Sequence, residues 1–502
     1  MRRRAFCASA LACATAAVLP PRLLAAAAPD SGLPFRRSDG GEGLLSRKDI
    51  ADLRAMLRGP VLLAGDDGYD SARRLWNGAF DRRPALIARC AGAADVIQAV
   101  SFARAHAMLV AVRGGGHSLS GQSVCDGGLT IDLSRMRSVR VVPSALTARV
   151  EPGVLLGEFD REAQFFGLAT TAGTVSDTGA AGLTLGGGFG RLARRFGLAC
   201  DNLRAADVVT ANGQLVHTSA EENPDLLWGL RGGGGNFGIV TSFEYQLHRA
   251  GPMMYGGGMA FSGRDARDVL EFFSGFAAEA PDELNTDCAV LAAPDGGLML
   301  AFDVCYSGPL ERAESVIAPL RGYRKTVMDK LGVAPYVVLQ TRGDAANAPG
   351  RGYYERSGFV RHIDPALIDT VLGIMHEPHP ESAEIAFVHH GAAIARVKPE
   401  ATAFWNRGAG HTVLINTDWD DPHDARARDQ RVSWARQAWA RIEPFTRGFY
   451  VNTMAVDDPQ HRVRTTYGGN YSRMVQLKER YDPTNLFRLN ANVPPGKLAA
   501  GS

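Results

Sequence analysis

The chain has 502 residues, of which 45% are hydrophobic and 22% charged, and its formal net charge is +2. This is the balance of a globular protein with a full core, long enough for two large lobes. The charge argues against nucleic-acid binding: the first 28 residues hold four of the arginines and no acid, so the remainder stands at −2.

Residues 1–28 open with three arginines, continue through an alanine-rich apolar run and end in small residues. This pattern is an export signal. The adjacent arginines before Phe6 make it twin-arginine-like, so the mature protein is expected in the periplasm or outside the cell. The run is too short and too alanine-rich for a membrane span. Cys7 and Cys13 leave with the signal. Cys90, Cys125, Cys200, Cys288 and Cys305 remain, scattered and without CxxC spacing, so neither a metal site nor a dense disulfide framework is expected.

From about residue 83 the pattern alternates. "PALIARC" predicts a strand, "AADVIQAVSFARAHA" an amphipathic helix and "LVAVRG" a second strand. "LTIDLSRM", "ALTARVEPG" and "RAADVVTANGQLVHTS" follow as short strands, the last with an Asn212-Gly213 hairpin signal. "FGIVTSFEYQLH" closes this region as a strand, giving a mixed α+β domain over 80–250.

From 251 to 455 the texture changes. "RDARDVLEFFSGFAAEAP", "ERAESVIAPLRGY", "DPALIDTVLGIMH" and "DQRVSWARQAWARIEPF" predict helices, with Trp434 and Trp439 in the core. "CAVLAA", "LMLAFDVCY", "AEIAFVHHGAAIARV" and "HTVLINTDW" predict strands, and the mix suits an antiparallel sheet with helices on one face. His389 and His390 are adjacent on a predicted strand and point to opposite faces, so they do not make a metal site. Residues 456–497 predict a helix stopped at Asp482-Pro483, then an extended tail.

Glycine is abundant, at 57 residues, and clusters at 113–118 ("RGGGHS"), 182–190 ("GLTLGGGFG") and 231–238 ("RGGGGNFG"). The third contains GxGxxG, but a helix precedes it and a strand follows, the reverse of the dinucleotide fingerprint. No cluster ends in GK[ST], so a P-loop fails too. Bare glycines let backbone N–H groups approach an anion closely, and a pyrophosphate is the obvious candidate.

These three segments, with "YGGNYSRMVQLKERYDPTNLFRLNANVPP" near the end, resemble the FAD-linked oxidases of the vanillyl-alcohol oxidase superfamily, with its PCMH-type FAD-binding domain. The closing segment narrows the resemblance to the berberine bridge enzyme-like branch, here a bacterial secreted member, and the likeness spans about residues 80–497. The resemblance implies an FAD between an N-terminal flavin domain and a substrate domain, with the C-terminal segment returning to complete the flavin domain. Arg113, Gly114, Gly115, Gly116, His117 and Ser118 would form the pyrophosphate loop, with Gly121 just beyond it. His117 matches the histidine bonded to the flavin 8α carbon, a role that a neutral imidazole nitrogen can fill as nucleophile. Thr174, Val175, Gly179, Gly182, Gly186 and Gly190 would line the cofactor from the second segment, followed by Asn202. Gly238, Ile239 and Val240 would do so from the third, and Tyr467, Asn470, Asn490 and Asn492 from the tail.

Many relatives add a second bond from a cysteine to flavin C6. Val175 stands at that position and cannot form it, which implies a single covalent link. Cys200 lies outside the motif, and Leu183 stands where plant members carry a histidine. For catalysis the resemblance points to "GFYVNTM", matched to a strand: Tyr450 as base and Asn452 as its neighbour, with Asn416 orienting substrate. The expected reaction is oxidation of an alcohol or amine carbon of a sugar-like or natural-product substrate. Hydride passes to flavin N5, and O2 takes the electrons to give hydrogen peroxide. A dehydrogenase with another acceptor, or a binding protein without turnover, are the alternatives.

Overall fold

The computed structural model describes residues 32–293 and 296–496; the export signal expected at 1–28 lies outside the described residues. The first lobe holds a four-stranded and a five-stranded sheet, besides two two-stranded pairs. In the four-stranded sheet, Leu86–Arg89, Leu129–Asp132 and Val110–Arg113 run parallel, and Val61–Leu62 adds antiparallel at one edge. The helix Ala93–Ala105 makes the crossover. Its Val96, Ala99, Val100 and Ala103 recur at helical spacing and are fully buried. Asp95 on the same helix accepts the backbone N–H groups of Arg58, Gly59 and Ala91 at 2.8–3.0 Å, tying the helix start to the preceding loop.

The second sheet is five-stranded and antiparallel, in the order Leu215–Thr218, Leu203–Val209, Ile239–Gln246, Thr147–Val150, Val139–Val142. The hairpin predicted at Asn212-Gly213 forms there, with Gly213 at φ +80°. Its loop is wider than a two-residue turn, because Thr210 N–H bonds Gln214 O and places both residues outside the ladder.

The second lobe is built on an eight-stranded antiparallel sheet. Its central run is Met253–Ser262, Leu298–Tyr306, Leu284–Ala292, Glu384–His389, His411–Trp419 and Gly352–Val360. Alternation decides its two faces. Cys288, Val290, Phe302, Ile385, Phe387, Val413 and Ile415 point one way, into a core shared with the helices Ala266–Glu279, Pro365–His376 and Ala425–Ile442. The residues between them point the other way, toward the first lobe. Trp439 is buried in the helix-side core and Trp434 packs at its edge.

Two sequence expectations shift here. "AEIAFVHHGAAIARV" is not one strand: pairing ends at His389, Gly391 takes φ +83°, and a short helix Ala392–Arg396 follows. "GFYVNTM" is not a strand either. Its register ends with an isolated bridge between Phe359 and Arg447, and Val451–Thr453 turns as a 3-10 helix because Tyr450 O accepts from Thr453 N–H and its hydroxyl.

The chain then returns to the first lobe. Met474, Leu477 and Tyr481 of the helix Tyr471–Tyr481, with Ala491 and Val493 of the tail, enter the core that also holds Phe237, Val240 and Phe243. Among the described residues, no helix is long and apolar enough to cross a membrane.

Candidate active site

The three glycine-rich segments converge on one cavity of about 870 Å³ between the lobes. Gly114, Gly115, Gly116, His117 and Ser118 form one wall; Thr174, Val175, Gly179, Gly182 and Gly190 form the next. Gly238, Ile239 and Val240 add a third, and Asn490 reaches in from the tail. The glycines have distinct reasons. A Cβ on Gly115 would lie 2.4 Å from Gly179 Cα, so these two loops pack backbone on backbone. Gly116 sits at φ +79°, a conformation costly for other residues. A Cβ on Gly182 would meet nothing within 4 Å, which leaves bare helix start facing open space.

His117 stands at the end of the first wall, one face stacked on Trp76 at 4.0 Å between ring centroids. Trp76 is stacked in turn on Tyr353 at 3.9 Å, and its indole N–H donates to Asn347 O at 2.7 Å. The imidazole is therefore held by a three-ring stack that spans both lobes. Its Nε2 lies 3.4 Å from Asp177 Oδ1, and both atoms are buried without a hydrogen-bond partner. Neither Trp76 nor Asp177 was singled out from the sequence; a lone tryptophan 41 positions before the histidine carries no local signal.

Across the cavity lies the bare face of the eight-stranded sheet. Asp287, Ala289 and Leu291 from one strand, Glu384, Ala386 and Val388 from another, Leu414 and Asn416, and Glu355 all line the cavity. Register sets them in rows. Asn416 is directly opposite Glu384 on one side and Glu355 on the other. Burial pushes the Glu355 carboxyl up to about 8, with Glu384 adding repulsion. Burial also raises Glu384, although the Asn416 amide donates to it and offsets part of the rise. Farther along the same face, burial lifts Asp287 to about 6 while Asp303 is bound by Arg191 at 2.8 Å. Sequence reasoning placed Asn416 here and missed both glutamates, which sit 61 and 32 positions from it and meet it only through strand pairing.

Tyr450 closes the site from the crossing segment, buried, with Phe189 stacked at 4.0 Å. Three donors point at its hydroxyl oxygen: Gly188 N–H at 3.1 Å, Phe189 N–H at 3.4 Å and the Asn452 amide at 2.7 Å. Burial pushes the phenol up to about 12, and those three donors act in the opposite sense. The same Asn452 amide donates to Leu183 O at 2.9 Å, so Leu183 contributes its backbone where a side chain offers no polar group. Gly186 exists for this contact: a Cβ there would lie 2.0 Å from Asn452 Oδ1.

Other residues singled out from the sequence lie off the cavity wall. Arg113 turns its guanidinium back to Ala72 O, beneath Gly116. Gly121 makes a turn at φ +71° against the Phe80 ring. Asn202 caps the turn before it, donating to Phe196 O and Leu198 O. Tyr467 donates to Gly233 O at 3.2 Å and buttresses the third glycine segment from behind. Asn470 donates to Pro399 O and Thr402 O, and Asn492 lies in the tail beyond Asn490. Cys200 is fully buried and burial raises its thiol pKa, so it is a packing residue. His389 bonds Thr286 and Ala277 O, while His390 bonds Thr412 on the opposite side.

The residues present fit an FAD. A cavity walled by glycines suits the nucleotide, and His117 and Asn490 on its lining each carry a buried polar atom without a hydrogen-bond partner. Residues 84–219 match the "FAD binding domain" family model, and 449–494 match "Berberine and berberine like". The chain is 32% identical to (R)-6-hydroxynicotine oxidase of Paenarthrobacter nicotinovorans, over 88% of this chain and 97% of that one. It is 30% identical to an FAD-linked oxidoreductase of Dictyostelium discoideum, over 88% of this chain and 95% of that one. The crystal structure of 6-hydroxy-D-nicotine oxidase from Arthrobacter nicotinovorans superimposes with a TM-score of 0.80 at 29% identity, covering 87% of this chain and 98% of that one. The chain thus belongs to the berberine bridge enzyme-like family and is an FAD-dependent oxidoreductase with a PCMH-type FAD-binding domain.

Proposed function

We propose that this enzyme is an exported oxidase that removes hydride from an alcohol or amine carbon of a small sugar-like or natural-product substrate. The observation that carries the reading is a single cavity joining the glycine walls and His117 to Tyr450 and the polar sheet face. FAD held by the glycine walls and His117 would supply the two-electron acceptor for the hydride, with O2 as the final acceptor giving hydrogen peroxide. The chain's own residues do the rest. Asn416 orients the substrate, and Tyr450 takes the proton from its O–H or N–H as the C–H bond breaks. The convergence of Gly188 N–H, Phe189 N–H and Asn452 on its oxygen offsets part of the burial that disfavours the phenolate, the form that takes up the proton.

His117 forms the one covalent link to the cofactor. Val175 stands where relatives carry a second attaching cysteine, and the Trp76 stack holds the imidazole in one orientation. Acid precipitation of the purified protein tests the link: yellow colour stays in the pellet of the wild type and leaves the pellet of His117→Ala. Colour retained by that variant overturns the assignment. For Tyr450→Phe, stopped-flow flavin reduction by substrate is expected to slow by about 100-fold or more. An unchanged rate removes Tyr450 from the chemistry.

A further inference from the structure

The cavity's sheet face carries a row of acceptors with one amide group as their only side-chain donor within the row. Glu384, Asn416 and Glu355 are directly opposite one another on three adjacent strands and all line the cavity. Opposed side chains in an antiparallel sheet stand about 5 Å apart at Cβ, so the two carboxyls flank one amide. One amide N–H of Asn416 is directed to Glu384 and offsets part of its rise in pKa. That leaves Glu355 Oε1 and Asn416 Oδ1, both enclosed and without any hydrogen-bond partner. An enclosed, unmatched acceptor costs about 1–3 kcal/mol, so what binds here must bring donors.

Charge narrows the choice between a hydroxyl and an ammonium. The cationic side chains on the wall are Arg191 and Arg342, and both are drawn to Asp303, at 2.8 and 3.6 Å. Asp287 faces the cavity beside Asp303 and accepts a hydrogen bond from the uncharged backbone N–H of His389. Glu355 and Glu384 therefore have no cation of their own. Burial holds both above the ordinary carboxylate range, with Glu384 adding repulsion at Glu355 and Asp418 at Glu384, and an arriving positive charge favours their ionised forms.

We infer that the Glu355–Asn416–Glu384 row is a recognition site for a cationic nitrogen, so that the preferred substrate of this oxidase is a protonated amine and not a neutral sugar. The inference rests on the same cavity being the substrate site. A flat row of three acceptors suits the diverging N–H bonds of a primary or secondary ammonium. The two carboxyls select charge, and Asn416 fixes the position between them.

Isothermal titration of the holoenzyme with benzylammonium and with benzyl alcohol, matched in shape and unlike in charge, tests this. At pH 7 the ammonium is expected to bind at least about ten-fold more tightly, since one such factor corresponds to 1.4 kcal/mol. In Glu355→Gln/Glu384→Gln the two probes should bind within about two-fold of each other. Equal affinities in the wild type overturn the inference even if the double variant fails to fold, and so does a preference that survives in the variant. Because the readout is heat, it stands apart from the flavin: a protein that carries no flavin sinks the oxidase reading, whereas a yellow protein indifferent to charge sinks only this one.

Discussion

At the residue scale, the site is made by atoms that would be costly anywhere else. Tyr450 is a buried phenol whose oxygen accepts from three directions, and it is backed by a stacked phenylalanine. Its neighbours at 188 and 189 are more than 260 positions away, so "GFYVNTM" and "GGGFG" are each incomplete until the chain has closed. Gly115 and Gly179 show the same dependence. Their backbones touch, and a methyl group on either would have to push the other loop away. Gly115→Ala is expected to cost about 1–3 kcal/mol by overpacking and to lower the flavin absorbance per protein at equal concentration. Full flavin loading with an unchanged melting temperature would show that the loops are not held in contact.

At the element scale, the C-terminal helix Tyr471–Tyr481 is what fastens the returning segment to the flavin lobe. Lys478 and Asp482 are fully buried, 2.7 Å apart at Nζ and Oδ2. The ammonium also donates to Asn236 O and Phe487 O, and the carboxylate accepts from Leu486 and Phe487 N–H. The pair thus joins the helix, the end of the third glycine segment and the tail that carries Asn490. Lys478→Met leaves a buried carboxylate without its cation, which should cost about 3–5 kcal/mol in denaturant unfolding. Lys478→Met/Asp482→Asn should recover part of that loss; a double variant as weak as the single one would mean the lysine acts through its carbonyl contacts instead.

The same scale shows what local pattern could and could not reveal. Helices such as Ala93–Ala105 and Ala425–Ile442 were legible because their apolar spacing is set by the helix's own period. The strands 284–292 and 411–419 were legible by β-rich composition, and alternation determines which residues share a face. The end of 384–389 was not: "HHGAAIARV" keeps an apolar texture through Gly391, whose left-handed conformation turns it into a helix. No local pattern says which strand pairs with which, and so the acidic row around Asn416 stayed invisible.

At the scale of the whole molecule, burial of ionisable groups predicts how stability depends on pH. Burial drives His390 and His411 down to about 3. An unfolded histidine takes up its proton near 6.5, so below that pH protons favour the unfolded chain and the stability these residues contribute is lost as pH falls toward 3. Burial acts the other way on carboxyls. Asp160 rises to about 7 and Glu355 to about 8, so the folded state holds protons that the unfolded chain has released. Their contribution is complete below about pH 4 and is lost as pH rises through 7 to 8. Melting temperature should therefore fall on both sides of the weakly acid range. Glu355→Gln should flatten the alkaline limb alone; an alkaline limb unchanged in that variant would contradict the buried, raised carboxyl.

The sequence by itself determined a glycine-lined site for an anion, and through its family resemblance the cofactor class and the order of the parts. Glycine runs act through backbone geometry, which is a local property, and the motifs that carry the resemblance are likewise contiguous stretches of chain. Tertiary structure alone decided the ring stack on His117, the three donors on Tyr450 and the Glu355–Asn416–Glu384 row. Each of these joins segments tens to hundreds of residues apart, and strand register and lobe closure, which put those atoms within reach, are set by burial summed over the whole chain.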